Sequence, residues 1–171
     1  GGAVTEGNQS NAGDSGRGMP ARALPPSVSE EATDRRAPDA RIRGMLDALA
    51  TADFETARGI ALTLRHVFPE NPVTHALVGF AASRLTEFKD AVLAYRGALY
   101  LDPGVPEVRF LLAVALEADG RIDRALREYR SALAALGSAP AAASPLFTSL
   151  GVPARDQLVA ICRKKIVKNK Q

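Results

Sequence analysis

The sequence predicts an all-α fold in which three pairs of antiparallel helices stack into a solenoid. The first observation is a repeat, because residues 91–99 and 125–133 carry Ala, Tyr, Arg, Ala and Leu in the same order, 34 positions apart. The second is a set of prolines with the same spacing, namely Pro38, Pro72 and Pro106. The third is composition. Trp is absent and only 5% of the residues are aromatic, which suits packed helices better than a β-sandwich.

A period of 34 residues with small side chains at fixed offsets resembles the tetratricopeptide (TPR) repeat. The predicted units span residues 38–71, 72–105 and 106–137. Apolar residues at helical spacing predict helices at about 39–50, 54–67, 73–84, 88–100, 106–118 and 122–136. Asp53 and Thr86 are the predicted N-caps, because a short polar side chain can accept hydrogen bonds from the free amides of a first turn.

Small residues are expected where the two helices of a unit approach most closely, since a large side chain there would overpack the contact. Position 8 of the second and third units holds Gly79 and Ala113, and position 20 of the three units holds Ala57, Ala91 and Ala125. Bulky residues that fill the neighbouring space are Val78, Leu112, Tyr95 and Tyr129. The first unit departs from this pattern, with Met45 at position 8 and Ala61 where the other units have Tyr.

The segments on either side of the repeats differ from them in composition. Residues 1–37 have almost no large apolar side chain and are predicted to be a disordered tail or linker. The first residue is not Met, so we expect a processed chain or part of a longer protein. Residues 138–152 are predicted to be a flexible connection that contains a short apolar anchor at 146–152. Residues 153–171 are predicted to form a capping helix, which covers the apolar face that the last repeat leaves open, and a basic tail.

Composition and charge exclude several classes of function. The net charge is +3, but residues 163–171 alone carry five Lys or Arg and no acid, so the repeats lack the basic face of a nucleic-acid-binding domain. No apolar run is long enough to insert in a membrane. The only cysteine, Cys162, is read as a buried small hydrophobe, is compatible with a cytoplasmic protein, and excludes a Cys-based zinc site. The histidines, His66 and His75, are given structural roles.

No catalytic residue, metal site or cofactor is predicted, and the candidate functional site is a concave groove for a protein or peptide partner. In a TPR stack the first helix of each unit lines this groove. The candidate residues are Ile42, Leu46, Val73, Ala76, Phe80, Arg84, Arg109, Phe110, Val114 and Glu117. Phe80 and Phe110 are the expected apolar anchors. The alternative is that the chain's own tail or last helix covers the groove. The basic end is either a solvated helix terminus or a contact for an acidic partner.

A narrower resemblance involves residues 96–103 (RGALYLDP), residues 109–112 (RFLL), Gly120 and Arg121. Together with Arg127, Arg130 and the ending at 158–163 (LVAICR), they resemble the C-terminal TPR region of CheR-type chemoreceptor methyltransferases over about residues 72–165. This resemblance implies a chemosensory role in which a chemoreceptor or the protein's own S-adenosylmethionine-dependent domain is the partner. Residues 1–37 would then be the linker, and no catalytic residue carries over.

The sequence leaves two non-enzymatic functions open. One is a domain that directs or regulates a receptor methyltransferase. The other is a stand-alone TPR adaptor in a secretion or envelope-assembly complex. Both use the same groove, because a TPR fold alone does not decide between them.

Overall fold

The computed structural model describes residues 38–140 and 142–169. Within these ranges the chain forms eight α-helices and no strand: α1 (Pro38–Ala50), α2 (Phe54–Val67), α3 (Pro72–Arg84), α4 (Phe88–Leu101), α5 (Pro106–Ala118), α6 (Ile122–Ser138), α7 (Pro145–Ser149) and α8 (Arg155–Lys168). The all-α prediction is confirmed for the described residues, and α1 to α6 begin and end within two residues of their predicted bounds. The predicted tail at 1–37 lies outside the described residues, as do positions 170 and 171.

The two helices of each unit are joined by a three-residue turn whose central residue has left-handed backbone. Ala52 and Thr86 both have a φ of 60° and Gly120 has a φ of 81°. The amide that follows each of them donates to a carbonyl of the preceding helix, that of Ala48, Ala82 or Leu116, at 2.8 to 2.9 Å. The 34-residue sequence period therefore reproduces one turn geometry three times.

One of the two predicted N-caps is confirmed and the other is wrong. The Asp53 carboxylate accepts a hydrogen bond from the Thr56 amide at 3.2 Å, and this bonding lowers the pKa of the Asp53 carboxyl. Thr86, in contrast, lies at the centre of the turn, and Glu87 is the residue that precedes α4. The turn needs three residues to close, so the helix begins one residue later than the side-chain chemistry of Thr86 suggests.

Small residues line the contact between paired helices, as predicted. Ala57, Ala91, Ala113 and Ala125 are at most 1% exposed. At Gly79, a Cβ atom would lie 2.7 Å from the ring of Tyr95. Tyr95 and Tyr129 are both buried, and each hydroxyl reaches the residue at position 12 of its unit: Ser83 Oγ at 3.5 Å and Glu117 Oε2 at 2.9 Å. The tyrosines of the second and third units thus have equivalent surroundings.

The first unit fills the same contact with the large and small residues exchanged between its helices. Met45 on α1 and Ala61 on α2 are both fully buried, whereas the second unit has Gly79 on its first helix and Tyr95 on its second. Met is unbranched and fills irregular gaps, so the long side chain can come from either partner. The first unit therefore differs from the others in that the large side chain at this contact comes from its first helix and the small one from its second.

The last helix, α8, takes the place of the first helix of a fourth unit. Along the stack, the second helix of each unit packs on the first helix of the next, in the pairs α2/α3, α4/α5 and α6/α8. Ion pairs join Glu107 to Arg155 and Glu117 to Lys165, both 48 residues apart, so α5 and α8 run parallel. Sixteen residues, 139–154, link α6 to α8, whereas four residues link α2 to α3 and α4 to α5. The prediction of a capping C-terminal helix is confirmed.

The additional residues form a folded segment where the sequence analysis expects a flexible connection. Residues 145–149 make the short helix α7, whose N-cap Ser144 accepts a hydrogen bond from the Leu146 amide. Phe147 and Val152 are 5% and 9% exposed. The apolar residues of this stretch offset the cost of ordering it, because they are buried against the repeats.

Candidate functional site

Part of the predicted groove is an open depression between α1, α3 and the end of α7. It has a volume of about 380 Å³ and is lined by Leu46 and Leu49 of α1, by Phe80 and Arg84 of α3, and by residues 149–151. Ile42 and Val73, two other predicted groove residues, are partly buried and pack against the adjacent core. Of the predicted groove residues in the first two units, Leu46, Phe80 and Arg84 thus line one depression, and Ile42 and Val73 do not.

Arg84 places a positive charge at the rim of this depression. Its guanidinium lies over the ring of Phe54, 4.8 Å from the ring centroid, and the side chain is exposed. A cation over an aromatic face is favourable but leaves the guanidinium hydrogens free to bind an anion. The depression can therefore accept apolar side chains on its floor and a carboxylate at its edge.

The third unit does not present its predicted anchor to solvent. Phe110 is 7% exposed and makes an edge-to-face contact with Tyr129, with ring centroids 6.1 Å apart. It belongs to the C-terminal core cluster, which we define as the buried residues around Phe110 and Tyr129 that include Ala76, Phe147 and Leu158. Ala76 is likewise only 3% exposed, while Val114 is 41% exposed. At this end, Val114 is the predicted apolar groove residue that remains accessible.

Arg109 is held at the contact of α5 with α6 and with the preceding turn. It donates a hydrogen bond to the Pro103 carbonyl at 3.2 Å and lies 3.5 Å from a carboxylate oxygen of Glu128. His75, which is 34 residues earlier, makes the equivalent contact to the Pro69 carbonyl at 2.7 Å. These side chains tie each first helix to the turn before it, a structural role that the sequence analysis expected for His75 but not for Arg109.

Two ion pairs join α8 to α5. Glu107 is 1% exposed, and its Oε1 accepts a hydrogen bond from Arg155 Nε at 2.6 Å. About three helical turns further along α5, Glu117 Oε1 accepts from Lys165 Nζ at 2.5 Å. Glu117 is thus bound within the chain, and Lys165 of the basic end has an internal acidic partner.

The surroundings of Glu117 shift the pKa values of two groups. Desolvation alone would raise the pKa of the Glu117 carboxyl, but hydrogen bonds from Lys165 and Tyr129 outweigh it, so the pKa lies below its ordinary value. Burial, together with the neighbouring carboxylate, raises the pKa of the Tyr129 hydroxyl. Glu117 is therefore a charged acceptor that fixes α8 and α6 on α5.

The chain's own residues 145–152 cover the groove between the open depression and Phe110. Leu146 and Leu150 pack against the N-terminal core cluster, which is formed by buried residues of α1 to α4 such as Met45, Leu64 and Leu77. Phe147 and Val152 are buried in the C-terminal core cluster. The covering residues belong to the link between α6 and α8, whereas the alternative named the chain's own tail or last helix. Leu150 borders the part that stays open.

Sequence reasoning did not identify Arg155 as a partner of the groove, although a signal for it exists. Glu107 and Glu117 are ten residues apart, and so are Arg155 and Lys165. Equal spacing of opposite charges on two helices is what parallel packing in register requires. The signal is hidden because the longer link between α6 and α8 breaks the 34-residue period.

The described residues offer no metal site, since 38–140 and 142–169 contain no group of three His, Cys, Asp or Glu that could hold an ion. His66 and His75 lie on different helices, α2 and α3. Cys162 is fully buried, and its desolvation raises the pKa of the thiol to about 11, as expected of a small hydrophobe rather than a reactive group. No helix in the described part is long and apolar enough to cross a membrane.

No protein-family model matches the sequence, and no curated protein matches it. Solved structures do match the fold. PcrH from Pseudomonas aeruginosa superposes with a TM-score of 0.64 over 86% of this chain and 95% of PcrH, at 16% identity. It has also been solved in complex with the chaperone-binding region of PopD.

Two further structures share the fold. The Yersinia enterocolitica type III secretion chaperone SycD, in complex with a peptide of the translocator YopD, gives a TM-score of 0.59 over 76% of this chain and 95% of SycD, at 14% identity. The Sgt2 TPR domain from Aspergillus fumigatus gives 0.54 over 88% and 86%, at 16% identity. At such identities these likenesses show the fold alone, which is a TPR-like helical repeat.

Proposed function

We propose that this chain is a non-catalytic adaptor that binds a short apolar segment of a partner protein in its concave groove. The observation that carries the proposal is the depression of about 380 Å³ with Leu46, Leu49 and Phe80 in its wall and Arg84 at its rim. Aromatic and aliphatic side chains in a concave surface are the usual anchors for a bound segment. SycD and PcrH, which share the fold, were each crystallised with a segment of another protein.

We further propose a stand-alone adaptor of the secretion-chaperone kind rather than a domain attached to a receptor methyltransferase. Support comes from PcrH and SycD, because the likeness extends over 95% of each of those chains. The resemblance to the methyltransferase TPR region stays a sequence prediction, since none of the structures named above is described as part of a methyltransferase. The reading frame upstream of residue 1 discriminates between the two, since a methyltransferase domain there would overturn this choice.

The groove hypothesis is tested with a phage-displayed library of random 16-residue peptides, selected against the wild type and against Phe80→Glu. We expect the wild type to enrich peptides with clustered apolar residues and Phe80→Glu to lose them, because the new carboxylate lies in the apolar wall. Leu93→Glu is the matched control, since Leu93 is 68% exposed on α4 outside the groove and receives the same charge.

Thermal melts of both variants establish that they fold. If the same peptides bind Phe80→Glu and the wild type equally well, the groove is not the binding site. If neither the wild type nor the variant Leu146→Asp/Leu150→Asp, in which residues 145–152 lose apolar contacts with the groove, enriches any peptide, the proposed function fails.

A further inference from the structure

The segment between α6 and α8 is longer than its role as a connection requires. Four residues separate α2 from α3 and α4 from α5, at 68–71 and 102–105. The corresponding link from α6 to α8 runs over residues 139–154. Since α8 still docks as the next first helix would, the additional length is not needed to place it.

The ends of this link are held together independently of its middle. Arg155 donates hydrogen bonds both to the Glu107 carboxylate and to the Pro140 carbonyl. One side chain therefore closes the base of a compact loop whose tip lies in the groove, the arrangement of an Ω-loop. The tip can leave the groove while the ion pair of α8 with Glu107 persists, because the Arg155 contacts involve none of the residues at 144–152.

The tip is held to the groove by apolar side chains alone. The hydrogen bonds that the structure shows for residues 144–152 all close within the segment, such as those from the Leu150 amide to the Leu146 carbonyl and from the Val152 amide to the Phe147 carbonyl. Its contacts with the described repeats are made by Leu146, Phe147, Leu150 and Val152. Apolar burial is non-directional, so another segment with the same spacing of apolar side chains can replace it.

We propose that residues 144–152 are an internal substitute for the partner segment, and that a partner binds by displacing them. This inference rests on the proposed function and names the chemistry of its ligand. The ligand is a short helical turn with bulky apolar residues at positions i, i+1, i+4 and i+6, as at Leu146, Phe147, Leu150 and Val152. A partner's turn of this pattern enters through the open depression beside Leu150 and extends toward Phe110.

The test uses a fluorescein-labelled peptide of residues 142–152 and three forms of the full chain. The release variant Leu146→Asp/Leu150→Asp removes the contacts of the internal segment with the N-terminal core cluster. The matched control Ala142→Asp/Thr148→Asp adds the same charge to the same segment at two exposed positions that do not line the depression. Fluorescence anisotropy measures binding of the peptide to each form and to the wild type.

We expect the release variant to bind the peptide at least ~10-fold more tightly than the wild type or the control, because a groove that is mostly covered lowers the apparent affinity by its uncovered fraction. Adding Phe80→Glu to the release variant should abolish binding. A peptide with Leu146→Asp and Leu150→Asp should not bind any form. A folded release variant that fails to bind the wild-type peptide would overturn the inference.

A second measurement applies if the release variant does not fold. ¹⁵N-labelled wild-type protein is mixed with excess unlabelled peptide, and hydrogen exchange of its own amides at 147–152 is followed. We expect these amides to exchange faster with peptide present, since the internal turn is displaced. Unchanged or slower exchange at saturating peptide contradicts the inference.

The outcomes separate this inference from the proposed function. If phage selection yields Phe80-dependent peptides but the 142–152 peptide neither binds nor accelerates exchange, the internal substitute is refuted and the groove function stands. The 142–152 peptide could bind the release variant while phage selection on that variant yields no peptide whose binding depends on Phe80. Residues 144–152 would then fill the groove for structural reasons only. That result overturns both the proposed function and the claim about its partner.

Discussion

The same strained backbone position carries three different amino acids, Ala52, Thr86 and Gly120. Left-handed backbone costs a residue with a Cβ atom on the order of 1 kcal/mol relative to Gly, and a β-branched residue such as Thr is especially disfavoured there. The three turns nevertheless close with the same hydrogen bonds, so the repeat imposes the geometry and the residue bears the strain.

The first prediction follows from this position. Thr86→Gly should raise the free energy of unfolding by about 1 kcal/mol, because it relieves the strain at a φ of 60°. Gly120→Ala, at the equivalent turn, should lower it by a similar amount. Urea denaturation of both variants measures the change, and equal signs for the two would show that the turn is not strained.

The second prediction concerns the contact of Gly79 with Tyr95. Gly79→Ala should lower the free energy of unfolding by about 1–3 kcal/mol, because its Cβ would lie 2.7 Å from the tyrosine ring. Gly59→Ala is the control, since its Cβ meets nothing within 4 Å and Ala should stabilise the helix by roughly 0.5–1 kcal/mol. Urea denaturation should show opposite signs, and a neutral Gly79→Ala would mean that the ring moves away without cost.

At the residue scale, the sequence predicts which positions are buried better than it predicts what each polar side chain does. The resemblance to TPR units implies that positions 8 and 20 are sites of close helix contact, and the structure buries Ala57, Ala91, Ala113 and Ala125. Thr86 is different. Its hydroxyl could cap a helix, but the three-residue turn places Thr86 at its centre, in left-handed backbone. For Arg109, position in the repeat suggests the groove, but the carbonyl of Pro103 holds it elsewhere.

At the scale of elements, the helices of the repeats could be predicted because proline and the period fix both ends, whereas α7 could not. A five-residue helix contains too few turns for apolar periodicity to appear. The sequence predicts that its apolar residues form an anchor, but their place in the groove depends on packing between distant parts of the chain. The pairing of α8 with α5 is hidden in the same way.

The third prediction compares the two ion pairs between α5 and α8. Arg155→Met should lower the free energy of unfolding by about 3–5 kcal/mol, because it leaves the buried Glu107 carboxylate without its partner. Lys165→Met should cost about 0–1 kcal/mol, since both side chains of that pair are 33% exposed. If urea denaturation gives equal losses, burial does not distinguish the pairs.

The fourth prediction is a pH dependence that arises at Glu117. Its folded-state pKa is lowered, so its contribution is fully present above the unfolded pKa of about 4.3 and is lost as the pH falls through the folded value. Glu117→Gln should therefore make stability fall less steeply below about pH 4.3. Urea titrations between pH 7 and pH 3 measure this slope, and identical slopes for the variant and the wild type would contradict it.

At the scale of the whole molecule, the fold is a linear stack in which each of the helices α1 to α6 contacts its neighbours in sequence. Packing runs from α1 to α6, and α8 closes the series on α6 and α5. In such a stack the terminal element has a neighbour on one side only, so it opens more easily than the interior. The sequence predicts this order of helices, but only the structure shows that the loop before α8 returns to the groove.

The fifth prediction uses the single cysteine as a probe of this opening. Cys162 is fully buried where α8 docks, so the thiol reagent DTNB should label it only when α8 separates. In Arg155→Met the labelling should be about 100-fold faster, because about 3 kcal/mol of docking free energy is lost. The control Cys162→Ala/Arg163→Cys, whose thiol lies on the exposed face of the same helix, should react without protection.

Local opening of α8 exposes little surface, so the labelling rate of Cys162 should depend on urea more weakly than global unfolding does. Labelling that follows the loss of helical circular dichroism at every urea concentration would show instead that α8 separates only when the whole stack unfolds.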